Sequence, residues 1–138
     1  MLKRLIPMLL MAALASIQAA AQQPTIKRAP AQRTSAASGQ EMFDSYCAVC
    51  HGKAGTGNGP AAAALKIPPA NLTLLAQHNS GTFPAEHVSG VLQGAAFPAH
   101  GSKDMPIWGP VLSAVSNGAQ ESHLRVYNLT EYIKSLQK

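Results

Sequence analysis

The sequence predicts one small domain of helices and loops, and three observations predict it. Apolar residues recur at helical spacing over residues 39–49 and again over 122–136. Between these two runs the chain is broken repeatedly by Gly and Pro, which read as loops and short turns. Once a leader and a linker are set aside, about a hundred residues remain, enough for a single domain burying roughly 65% of its unfolded surface.

The leader is residues 1–21. Lys3 and Arg4 precede an apolar run over 5–17, and Ala19, Ala20 and Ala21 follow it. That order describes a secretory signal peptide cut after Ala21, and the run falls short of the ~20 residues that cross a bilayer. Residues 22–38 carry Pro24, Pro30, Lys27, Arg28 and Arg33 with no helical or strand period, and read as a flexible basic linker. Two of the eleven Lys and Arg lie in the leader and three in the linker, leaving six against six Asp and Glu in residues 39–138. The domain is neutral, and without a basic stripe interleaved with aromatics it excludes nucleic-acid binding. Membrane association would come only from an uncleaved leader or from the basic arm.

The first helix is expected over 39–49, where Met42, Phe43, Tyr46 and Cys47 share one side. Ser38 and Glu41 stand as in a capping box. Gly52, Gly55, Gly57, Gly59 and Pro60 end the helix in a loop, and 60–65 reads as a short helical turn. An extended stretch follows at 67–72. Thr73 is expected to cap a short helix through His78, with Asn79 and Gly81 ending it. Pro84, Glu86 and Gly94 frame a helix of about ten residues whose buried side is Val88, Val91 and Leu92. Residues 101–109 read as a loop bounded by Gly and Pro, and 122–136 as the longest helix, with Val126, Leu129, Tyr132, Ile133 and Leu136 in one stripe. Gly39 and Phe43 offer a notch and a knob at which Leu129 and Tyr132 can cross.

Chemistry concentrates in Cys47-Ala48-Val49-Cys50-His51, which holds both cysteines of the chain. Two thiols at i and i+3 on a helical turn can each form a thioether to a haem vinyl group, and the adjacent imidazole then reaches the iron. Three other readings compete. A redox dithiol normally follows a strand, and none precedes Cys47; a structural zinc site lacks its second cysteine pair; a disulfide between these positions is strained and leaves His51 unexplained. A bound haem also supplies the apolar body that a domain with few aromatics lacks.

A second axial ligand decides between electron transfer and ligand binding. Met1, Met8 and Met11 leave with the leader, and Met42 sits on the helix that carries the attachment turn, so Met105 is the candidate. His100, five residues earlier, is its rival; His78, His87 and His123 read as surface or hydrogen-bonded histidines. A carbonyl of the 67–72 stretch is a candidate acceptor for the second ring nitrogen of His51, with Pro68 and Pro69 favoured and a plain rigid turn as the alternative. Trp108 packs beside the ring or donates to a propionate, core filling being the other reading.

Taken together, Gly39-x-x-x-Phe43, the Cys47–His51 motif, the Pro-Pro-Ala-Asn-Leu stretch, Met105-Pro106 with Trp108-Gly109, and Leu129-x-x-Tyr132 make the chain resemble a class I c-type cytochrome over 39–137. The resemblance implies an all-α cytochrome c fold with crossing terminal helices, and one haem c on Cys47 and Cys50 with His51 and Met105 as axial ligands. It also implies haem attachment outside the cytoplasm, hence a periplasmic protein. The expected role is that of an electron carrier between redox protein partners, with no catalytic residue and no enzyme activity of its own. A haem subunit of a larger exported oxidoreductase is the first alternative. A haem sensor or peroxidase with an open sixth site is the second.

Overall fold

The computed structural model describes residues 30–94 and 105–138, and among these there is helix, turn and loop but no strand. The expected leader, the linker up to residue 29 and His100 lie outside the described residues. Residues 39–51 form one helical rod, α1, two residues longer than the sequence predicts. Its start is set by Ser38, whose Oγ accepts from the Glu41 N–H at 3.1 Å. Within it, Phe43–Cys47 is a turn of π-helix, closed by the Ala48 N–H on the Phe43 carbonyl. Gly52 ends the rod at φ +76°, a conformation that favours glycine.

The Gly-rich loop beyond is bound to the rod it leaves. Gly57, Gly59 and Ala61 donate to the carbonyls of His51, Cys50 and Val49 at 2.8, 3.0 and 2.8 Å. These are the carbonyls that a helix end leaves unsatisfied, so the loop supplies what the broken helix lacks. The expected turn at 60–65 is a 3₁₀ turn, Ala62–Ala64. The next helix begins earlier than predicted and has a different cap: the Asn71 side chain accepts from Thr73 N–H, opening a 3₁₀ turn, Leu72–Leu74, that continues into α2, Leu75–His78. Asn71 precedes Thr73 and can bond the backbone two residues on, which makes it the better cap.

Helix α3, Ala85–Gln93, matches its expected frame, from Pro84 to the left-handed Gly94. Helix α4, Trp108–Ala114, occupies a stretch that sequence reading assigns partly to a loop. Pro110 falls in the first turn of this helix, where its missing N–H would have had no intrahelical partner. The last helix, α5, Ala119–Ser135, starts three residues before the predicted 122.

Helix α5 is the spine. It crosses α1 at Gly39, where a Cβ would lie 2.1 Å from the Asn128 carbonyl oxygen and 2.7 Å from Tyr132 Cβ. Only glycine lets the two backbones approach so closely. Just beyond, the Phe43 and Tyr132 rings pack as a tilted pair, their centres 5.3 Å apart and their planes at 54°. Phe43, Met42, Leu112 and Leu129 are fully buried around this crossing, each contributing roughly 1.5–3 kcal/mol of burial. The chain end is tied to α2 through Gln137, which accepts from Ala76 N–H at 2.9 Å and donates to the Leu72 carbonyl at 2.7 Å.

Residues 30–38 depart from the linker reading. They have no helix, as expected, but they are fastened to the domain: Asn128 donates to the Ala36 carbonyl at 2.8 Å, and Arg125 donates to the Thr34 carbonyl at 2.9 Å. Ala31 packs against the core.

Candidate functional site

The end of α1 opens onto a cavity of about 150 Å³. One wall is the attachment turn itself, with Tyr46, Cys47, Cys50 and His51. A second is the extended stretch, including Leu65, Ile67, Pro68, Pro69 and Ala70. Val88, Val91 and Leu92 of α3 form a third, and Met105, Pro106 and Trp108 complete the surround. The lining is overwhelmingly aliphatic, proline and aromatic. Its floor includes Ile133 of α5, so the helix crossing holds the walls at a fixed separation.

The π turn places the motif. Because it lengthens one turn of α1, Met42 and Phe43 face the α5 crossing while Cys47 and His51 face the cavity. Both cysteines are free thiols. Burial pushes the Cys47 thiol up to about 12, with the neighbouring Cys50 adding to the rise, and burial raises Cys50 as well. Thiols held protonated are poor candidates for disulfide exchange. Among the described residues no cluster of three His, Cys, Asp or Glu could hold a metal ion, so the zinc reading finds no ligand set.

His51 is 7% exposed, and its Nδ1 lies 3.0 Å from the Ala70 carbonyl oxygen. A carbonyl only accepts, so Nδ1 carries the proton and the lone pair is on Nε2. Burial lowers the affinity of the ring for a second proton, and the Ala70 bond only partly offsets that. A neutral imidazole with one nitrogen committed to a carbonyl is the form that ligates a metal. The acceptor corrects the sequence expectation: it is Ala70, not Pro68 or Pro69. The Pro69 carbonyl instead faces Gly57, where a Cβ would sit 2.5 Å from its oxygen.

Of the other sequence candidates, Met105, Pro68, Pro69 and Trp108 all line the cavity. His78 and His123 are exposed, as expected. His87 is not simply a surface residue, because it shares the cavity-facing side of α3 with Val91, four residues on. That i, i+4 spacing with a buried-side residue was the signal for it. Tyr46, which the sequence places on one side of the first helix with Met42, Phe43 and Cys47, lines the cavity as well, stacked on Trp108 with ring centres 5.5 Å apart and planes at 27°.

An apolar slot with two thiols and a lone-pair imidazole on one wall suits a flat, apolar, iron-bearing macrocycle, and the residues present fit a haem. All-helical architecture around such a slot defines a class I-like c-type cytochrome domain. The family described as cytochrome c oxidase, cbb3-type, subunit III matches residues 34–116, and the chain belongs to that family. Membership implies covalently bound haem c and haem-based electron transfer. No curated protein and no solved structure was found to match the chain.

Proposed function

We propose that the chain is an exported, periplasmic carrier of single electrons that holds one haem c through thioethers from Cys47 and Cys50, with His51 and Met105 as axial ligands. The gathering of these four side chains around one apolar cavity carries this reading. When bound, the haem supplies an iron that gives and takes one electron at a time between Fe(III) and Fe(II). The protein's part is to hold and insulate. Ala70 fixes the His51 ring, Met105 offers a soft neutral sulfur that favours the reduced metal, and the aliphatic walls keep water out. Ile67, a cavity-lining residue 44% exposed, and Ile107, 61% exposed between the lining residues Pro106 and Trp108, offer apolar surface for redox protein partners.

Mass spectrometry of the exported protein tests the reading. The Cys47–His51 peptide should carry a porphyrin that acid-acetone does not extract, and an unmodified peptide overturns the proposal. Met105 has its own test: Met105→Ala should lose the weak absorption band of a sulfur–Fe(III) bond and gain rapid carbon monoxide binding when reduced. A surviving band excludes Met105.

The family match favours a second reading, a haem subunit within a larger exported oxidoreductase. No helix of the described residues is long and apolar enough to cross a membrane. Size-exclusion of the native material separates the two readings, since a free carrier elutes at monomer size and a subunit co-elutes with its complex.

A further inference from the structure

Behind the Tyr46–Trp108 wall lies a buried cation. Arg125 of α5 is 2% exposed, and its guanidinium donates to Thr34 Oγ1 at 3.1 Å, to the Thr34 carbonyl at 2.9 Å, to Ser116 Oγ at 3.1 Å and to the Glu121 carboxylate at 2.8 Å. Thr34 Oγ1 is also 2.8 Å from Tyr46 Oη, and Tyr46 Oη contacts the Gln32 carbonyl. The direction of every bond in this chain is forced. A guanidinium only donates, so Thr34 Oγ1 accepts from Arg125; a carbonyl only accepts, so the Tyr46 phenol gives its proton to Gln32. One polarity is then left for the middle contact, in which the Thr34 hydroxyl donates to Tyr46.

We propose that Arg125 and Thr34 are positioning residues for the cofactor cleft, locking the Tyr46 ring, and through it Trp108, against the cavity. The proposal rests on the haem reading above. Under it, residues 30–36 are a built part of the site, pinned on one side by a cation and on the other by a phenol whose ring is a cavity wall. Each donor in such a chain strengthens the next, so one missing hydroxyl loosens the hold at both ends, although Tyr46 keeps the Gln32 carbonyl and Arg125 its other acceptors. A loosened wall admits water on that side of the haem, and water favours the more highly charged ferric state. Breaking the relay should therefore lower the reduction potential.

Potentiometry on the haem-loaded protein tests this. Thr34→Val deletes the hydroxyl with little change of shape, Tyr46→Phe deletes the other end, and Thr34→Ser keeps the donor. Thr34→Val and Tyr46→Phe should each lower the potential, Thr34→Ser should keep the wild-type value, and the double variant should fall no further than the larger single effect. Unmoved potentials in both single variants, or shifts that add in the double, overturn the relay while leaving the haem reading intact. Wild-type protein with no attached haem overturns both.

Discussion

Gly59 supports the attachment turn by having no side chain. A Cβ there would lie 2.5 Å from the Val49 carbonyl oxygen, 2.6 Å from that of Ala48 and 2.6 Å from the Cys50 carbonyl carbon. All three are backbone atoms of the turn that carries the motif, so no flexible side-chain end can give way. Gly59→Ala should therefore destabilise the domain by about 3 kcal/mol, the upper part of the overpacking range. It should also lower the haem-to-protein absorbance ratio of the exported chain; denaturant melts and that ratio measure the two effects. A stable variant with full haem content would show that the loop is not held against the turn. The same scale shows what sequence reading reaches. Cys47, Cys50 and His51 were legible because their relation is local, fixed by helical spacing. The choice of Ala70 over Pro68 or Pro69 was not, because in an extended stretch it depends on how closely the loop at Gly57 packs against the Pro69 carbonyl.

Helix α1 does two jobs with one rod, and the π turn at Phe43–Cys47 separates them. An unbroken α-helix of the same residues would turn the motif by about 100° relative to Met42 and Phe43, and the wide turn takes that rotation up. Deleting the exposed Ser45 should therefore close the turn to ordinary α-helix with the motif still facing the cavity, and the expected variant keeps both its helical circular dichroism and its attached haem. Loss of haem with the helix intact would show that the π turn serves the motif in some way other than register. The turn itself was invisible in the sequence, since Met42, Phe43, Tyr46 and Cys47 satisfy an α period and the extra residue shows only when the two faces are seen to meet different partners. Helix α3 and the stripe of α5 were legible because both carry a regular apolar side against the core. Helix α4 was hidden by Gly109 and Pro110, which look like breakers unless the helix start is known. Its packing against α5, rather than its own propensity, decides its state.

On the scale of the whole molecule, Arg125 joins parts of the chain distant in sequence: residue 34, the end of α4 through Ser116, and α5 through Glu121. A buried guanidinium is tolerated because its donors are matched and a carboxylate balances its charge. Glu121 is held below the ordinary carboxylate range, first by the Asn117 N–H that it accepts at 2.9 Å and then by Arg125. The sign follows from proton linkage. A carboxyl whose folded-state affinity for protons is depressed stabilises the fold fully above its unfolded pKa of about 4.3, and that contribution drains away as pH falls through the lower folded value. Thermal melts of the haem-loaded protein should thus show the melting temperature falling below about pH 4.5. Glu121→Gln should start lower at neutral pH, because Arg125 loses its counter-charge, and should fall less steeply, so that the two curves converge in acid. Parallel curves over the whole range would mean that Glu121 titrates alike in the folded and unfolded chains, and the balance of charge at the centre of the molecule would then have to come from elsewhere.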